Sequence, residues 1–241
     1  MTTTTRATAI FVLALGVLAP LRAAGTADPS SASLSAPDVI ARVVAAYRTC
    51  ATYRDTGVVR TVFFEETGQR TQERPFKTAF VRPDSFRFEF TDTFYGKTTR
   101  YIVWQQGADV RKWWDVEPGI RSLQSLDMGL AGATGVSGGS AHVVPSLLFP
   151  EAVSGPSLKD MTDVKRLEDA PCGSAVCARL EGLWKSEKRT LWIDLSSFLL
   201  RRIDSAHVFP TFRTEKVTFY EPTVNEAIAP DVLAFDPPPT Q

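Results

Sequence analysis

Only two of the 241 residues are histidine and three are cysteine, which leaves little from which to build a metal centre. A zinc site takes four N or S ligands, and His142 and His207 stand far apart in the chain. An excess of charge is lacking too. Lys plus Arg and Asp plus Glu number 27 each, so there is no basic footprint for nucleic acid. No apolar run is long enough for a comfortable membrane-spanning helix; the longest, Ala7 to Ala19, falls short. Strands and helices do not alternate along the chain, which excludes a doubly wound parallel sheet. What is present is aromatic: 15 Phe, 5 Trp and 5 Tyr in a chain that is 44% hydrophobic. That content favours strands over helices and allows a sizeable core.

The short apolar run reads as part of an export signal. Arg6 supplies the charged start, Ala7 to Ala19 the apolar core, and Ala23-Ala24-Gly25 the small residues before a cleavage point. Residues 1–25 are therefore expected to be a signal peptide, with cleavage after Ala27 as the alternative, and 26–35, rich in Ser, Ala and Pro, a flexible tether. Residues 36–241 are expected to form a single domain in the periplasm. No cysteine follows the leader closely, so a lipid-anchor site is not expected. Removing the leader takes away Arg6 and Arg22 and leaves the acidic residues slightly in excess, which argues against adsorption to anionic membranes.

The cysteines agree with that compartment. Cys172 and Cys177 flank Gly-Ser-Ala-Val, a spacing that suits a tight hairpin closed by a disulfide in an oxidising space. The competing metal reading needs further ligands, with only the two distant histidines to supply them. Cys50 falls on an apolar helix face and reads as a buried free thiol.

That helix, Ala36 to about Cys50, organises the rest. Ser35 can accept from an orphan backbone N–H, Pro37 fits the first turn, and Asp38 sits at the positive end of the dipole. Val39, Ile40, Val43, Val44, Tyr47 and Cys50 recur at helical spacing. A lone helix of this length is marginal in water, so the stripe must lie on something, and almost everything after Thr56 reads as strand. Strands are expected at Gly57–Phe64, Phe76–Val81, Ser85–Phe90, Thr99–Gln106 and Val110–Asp115. They resume at Asp163–Glu168, Val176–Trp184, Lys188–Asp194, Leu199–Phe209 and Phe212–Tyr220. The alternation is cleanest at Phe86, Phe88 and Phe90, set against Arg87 and Glu89. The proline-rich tail, Ile228 to Pro239, is expected along a sheet edge. The fold class is α+β: a strongly curved antiparallel sheet with a helix against it.

Between the two strand sets lies Leu123 to Pro150, rich in glycine and ending in the apolar cluster Val143 to Phe149. A connection this long inside a β domain is usually functional or mobile. Two short helical turns are expected in it, with Gly129 to Gly139 as a flexible hinge and Val143 to Phe149 as a lid. Gly135-Val136-Ser137-Gly138-Gly139 also matches the nucleophile-elbow pattern, with Asp204 and His207 downstream. No apolar strand leads into Ser137, however, and Asp204 and His207 share one strand three residues apart. Their side chains start on opposite faces, so a Ser-dependent esterase ranks below the non-catalytic readings.

Three stretches resemble the LolA-like superfamily of periplasmic lipoprotein carriers and lipid-binding proteins. The first is the helix entering a strand through Tyr53-Arg54-Asp55-Thr56-Gly57. The second is Thr190-Leu191-Trp192-Ile193-Asp194, a turn, then Leu199-Leu200-Arg201-Arg202-Ile203. The third is Ile228-Ala229-Pro230-Asp231-Val232-Leu233-Ala234-Phe235-Asp236-Pro237-Pro238. The resemblance covers nearly the whole mature chain. It implies a half-open β-barrel of about eleven strands, with a plug helix and a short helical lid on its concave face. It also implies that acyl chains enter the space between sheet and helices. Candidate ligand contacts are Phe86, Phe88, Phe90, Trp104, Ile193 and Phe219 on the wall, Val43 and Tyr47 on the plug, and Leu147 and Leu148 on the lid. The expected function is a periplasmic binding or carrier protein for lipid or lipoprotein acyl chains, with no catalytic residue, metal or cofactor. The alternative is an envelope-stress or lipid-sensing protein with a membrane-protein partner of the envelope.

Overall fold

The structure is a computed structural model that describes residues 34–94 and 96–238. The expected leader lies outside the described residues, as does all of the tether except Leu34 and Ser35.

Helix α1 spans Ala36–Thr49. Its start is a reciprocal cap, with Ser35 accepting from the Asp38 N–H while the Asp38 carboxylate accepts from the Ser35 N–H and hydroxyl. Its end is closed from the sheet. Arg82 donates from Nε to the Cys50 carbonyl at 3.0 Å and from Nη2 to the Tyr47 carbonyl at 3.3 Å, which satisfies carbonyls the helix leaves free. Ala36, Val39, Val43 and Tyr47 are buried.

The strands are β1 (Thr52–Glu65), β2 (Gly68–Val81), β3 (Ser85–Phe94), β4 (Lys97–Gln106), β5 (Asp109–Trp114) and β6 (Ile120–Ser122), then β7 (Thr162–Cys172), β8 (Ala175–Trp184), β9 (Glu187–Asp194), β10 (Leu200–Val208), β11 (Arg213–Tyr220) and β12 (Thr223–Val224). Their order is β6-β5-β4-β3-β2-β1-β11-β10-β9-β8-β7, with β12 paired to β1. Every pairing is antiparallel. Strands β6 and β7 end the sheet without joining, so it is a half-open barrel. Strands β1 and β2 run longer than the sequence pattern indicates, because pairing between them carries on through the polar stretch 68–75.

The register sorts the side chains. Tyr53, Asp55, Gly57 and Val59 of β1 stand opposite Phe80, Thr78, Phe76 and Arg74 of β2, and Phe80, Thr78 and Phe76 stand opposite Phe86, Phe88 and Phe90 of β3. This inner face carries the core. Gly57 has a steric reason to lack a side chain. A Cβ there would fall 2.2 Å from the Phe76 ring and 2.5 Å from the Phe219 carbonyl oxygen.

The glycine-rich insert forms two helices, α2 (Leu126–Val136) and α3 (Ser140–Leu148). The loop-like hinge expected from Gly129 onward is corrected: Gly129, Gly132 and Gly135 lie within α2. Ser125 caps that helix, Leu126, Leu130 and Ala133 bury one side of it, and Gly129 permits close approach. A Cβ on Gly129 would meet Val103 at 2.8 Å and Leu123 at 2.9 Å. The joint is confined to Gly138 and Gly139, at φ 70° and 94°. The tail is corrected as well. It forms the short helix α4 (Pro230–Leu233) and then crosses the outer face instead of following an edge.

Candidate functional site

The inner face is an aromatic wall. Phe76, Phe80, Phe86, Phe88, Phe90 and Tyr101 are all buried there, and Phe76 stacks on Phe88 and Phe90 on Tyr101 along it. Helix α1 covers one part of the wall, and the α2–α3 pair covers another. Phe149, just past α3, sets its ring edge-on to Phe80 at 4.9 Å and to Phe86 at 5.6 Å. Leu147 and Leu148 are buried beside it. Among the described residues, one side-chain hydrogen bond ties the α2–α3 pair to the sheet, from Lys216 Nζ to the Gly138 carbonyl at 3.2 Å. The remaining contact is apolar and therefore non-directional.

Eight of the expected contact residues share this interior: Val43, Tyr47, Phe86, Phe88, Phe90, Leu147, Leu148 and Ile193. Trp104 and Phe219 do not. Trp104 pairs with Arg87, and Phe219 pairs with Val58 and Arg202, which puts both on the outer face. The cause is the two-residue period of a strand, in which a neighbour of an inward residue points outward. Side chains of α1, α2, α3 and the inner sheet face pack there into one buried cluster.

A polar cluster that the sequence reading did not single out lies under α1. The Tyr53 hydroxyl donates to Asp55 Oδ2 at 2.6 Å, and the Thr78 N–H donates to Asp55 Oδ1 at 3.0 Å. The Tyr47 hydroxyl accepts from the Leu200 N–H at 3.1 Å, and its ring lies 5.4 Å from that of Tyr53. Burial pushes the Asp55 carboxyl up to about 6, against the opposing pull of the Tyr53 and Thr78 bonds. Burial also pushes the Tyr47, Tyr53 and Tyr220 hydroxyls well up. The signal in the sequence was Tyr53-x-Asp55, two polar-headed residues on the same face of one strand.

The esterase constellation is not assembled. Ser137 is buried at the end of α2, where its Oγ accepts from the Ala141 N–H at 3.3 Å. Asp204 accepts from Trp192 Nε1 at 2.7 Å and from Arg202 Nε at 2.6 Å. The His207 ring lies against Phe209 at 4.3 Å, towards the exposed tip of the β10–β11 hairpin. Cys172 and Cys177 form the disulfide that closes the β7–β8 hairpin, and Cys50 is a buried free thiol.

An open cleft of about 1150 Å³ lies on the outer face. The C-terminal segment forms one wall and the Cys172–Ala175 tip the other, with β1 to β4 and β9 to β11 between them. Arg87 and Arg100 donate to Glu89 at 2.6 and 2.9 Å. Burial acts to raise the Glu89 carboxyl, but the two guanidiniums outweigh it and hold it below its usual range.

An unclosed antiparallel sheet with a capped plug helix and a helical pair on its inner face is the architecture implied by the three sequence stretches. The three stretches that resemble the LolA-like superfamily fall in α1 and β1, in β9 and β10, and in the C-terminal segment that contains α4. No family model and no curated protein matches the chain. Among solved structures it is similar to a LolA superfamily protein from Nitrosomonas europaea, at 10% identity and TM-score 0.35 over 84% of this chain and 99% of that one. It is similar to LprF from Mycobacterium bovis at 7% identity and TM-score 0.41, over 90% of this chain and 100% of that one. It is also similar to the complex of Pseudomonas aeruginosa MucA/MucB at 12% identity and TM-score 0.44. That match covers 83% of this chain and 60% of the other, so the chain spans less than two thirds of it.

Proposed function

We propose that this chain is an exported binding protein whose inner face takes lipid-like acyl chains beneath the α2–α3 pair, without covalent chemistry. In this reading the leader is removed after Gly25, residues 26–35 tether the protein, and the chain from Ala36 onward works as one domain in the periplasm. The observation that carries the reading is the way α2–α3 is held. It rests on an aromatic wall by apolar packing, with a single side-chain hydrogen bond from the sheet among the described residues. Lifting it, together with Phe149, uncovers Phe80 and Phe86 and the wall at Tyr101 and Val103. An acyl chain that enters between the pair and the wall gains about 0.8 kcal/mol per buried CH₂ from both surfaces. Gly138 and Gly139 supply the joint that lets the pair lift.

The test is native mass spectrometry of protein purified from periplasm, with solvent extraction of anything bound, followed by titration with the fluorescent fatty acid cis-parinaric acid. Saturable binding is expected. Val43→Asp places an unpaired charge on the plug and should abolish it. Leu147→Ser, on the lid, should weaken it in a chain that circular dichroism shows to be folded. Ser137→Ala should leave binding unchanged. Turnover of acyl esters that Ser137→Ala stops, or an interior that takes up no fatty acid, overturns the reading.

A further inference from the structure

The outer cleft is already partly occupied, and its occupant is a peptide. Beyond α4 the chain crosses β3 and β4 as a strap. Trp104 Nε1 donates to the Leu233 carbonyl at 2.5 Å, and Arg87 donates to the Ala234 carbonyl. The Phe235 ring lies 5.6 Å from that of Trp104. The Asp236 carboxylate then meets Arg87 at 2.6 Å and Arg100 at 3.4 Å. The Asp236 side chain is 60% exposed, whereas that of Arg87 is 10% exposed. A nearly buried guanidinium thus holds a carboxylate that is itself largely in water. Two carbonyls, one ring and one acid of an extended segment are bound in sequence.

The surface continues past Asp236 across β2 and β1 towards β10 and β9. Lys77 and Arg54, both exposed, line it from adjacent strands. Neither has an ion-pair partner among the described residues. Beyond them the Arg202 guanidinium lies 4.7 Å from the Trp192 ring and 5.4 Å from the Phe219 ring, a flat platform of cation and aromatic faces. Glu221, accepting from the Thr56 hydroxyl at 3.2 Å, and Asp231 are the acidic groups at the rim.

We propose that this cleft docks an acidic, aromatic-bearing peptide segment of a protein partner, with Asp236 as the built-in competitor for Arg87 and Arg100. The strap supplies the pattern of recognition, and the unpaired Arg54 and Lys77 supply charge for the acids that follow. A lipid headgroup fits less well. The segment already lying here is held through two carbonyls, a ring and a carboxylate, a set that a peptide offers and a headgroup does not. The inference is independent of what the inner face binds.

The probe is a fluorescein-labelled peptide alternating Asp and Phe, compared with its Asn-for-Asp sibling, titrated by anisotropy onto the full chain. The acidic peptide should bind more tightly, and more weakly in about 200 mM salt than in about 20 mM. Combining Arg54→Ala with Lys77→Ala, two exposed changes, should weaken binding about three- to tenfold and leave cis-parinaric acid binding unchanged. Asp236→Asn should tighten it by a similar factor. Equal affinity for the two peptides, or no response to the Arg54 and Lys77 changes, overturns the proposal. An unchanged affinity in Asp236→Asn removes the competitor. Binding of phosphatidylglycerol vesicles through Arg54 and Lys77, with the peptide not bound, makes the cleft a headgroup site instead.

Discussion

The Tyr53 hydroxyl donates to Asp55 across 2.6 Å, two residues along the same strand and on the same buried face. The bond joins a carboxylate that burial holds up to about 6 to a phenol that burial holds well above its usual value. The pair lies directly beneath the plug helix, next to Tyr47.

That arrangement makes stability depend on pH in a definite direction. A carboxyl whose folded value is raised favours its protonated form in the fold. Its contribution is full below the unfolded value near 3.8 and is lost as pH rises through about 6. From about pH 5 to about pH 8 the protein should lose about 1–2 kcal/mol of stability to this group. Glu89, Glu117, Glu187 and Asp194 are held low and stay ionised across that window. Asp55→Asn should flatten the slope. Urea melts at the two pH values check this, and a slope unchanged in the variant rules it out.

Two glycines of the insert should respond in opposite directions to the same substitution. A Cβ at either Gly135 or Gly139 would meet no atom within 4 Å, so backbone conformation alone decides. Gly135 lies inside α2, where Gly135→Ala should stabilise by about 0.5–1 kcal/mol. Gly139 has φ 94°, and Gly139→Ala should destabilise by about 1–3 kcal/mol. Thermal melts of the two variants measure the contrast. Equal shifts would mean that Gly139 leaves this conformation in solution.

The hairpin disulfide should leave one reactive thiol per chain in denaturant, that of Cys50, rising to three after reduction. Replacing Cys172 and Cys177 with Ser should cost about 2 kcal/mol, because the closed loop is short. The cleft wall formed by residues 172–175 should loosen with it, which hydrogen exchange would detect as faster exchange at the β7–β8 tip. Three reactive thiols in unreduced protein exported to an oxidising compartment would show that the bond does not form.

Local pattern carried much of this fold. Ser35, Pro37 and Asp38 mark the start of α1 within the chain itself, and Val39, Val43 and Tyr47 mark its buried side, because capping and helical periodicity are short-range effects. The alternation of Phe86, Phe88 and Phe90 against Arg87 and Glu89 did the same for β3, and Cys172 and Cys177 are close enough in sequence to name their own partner. Other features needed the folded chain. Trp104 and Phe219 read as wall residues until strand register put them outside, since one position along a strand reverses the face. Gly129 read as part of a loop because its reason for being small is Val103, more than twenty residues earlier, against which it packs. The outer cleft had no local signature at all. Arg87, Arg100 and Asp236 meet only because the sheet brings β3 and β4 side by side and the tail crosses both, and a charge pair formed over that separation leaves no periodic trace in the sequence.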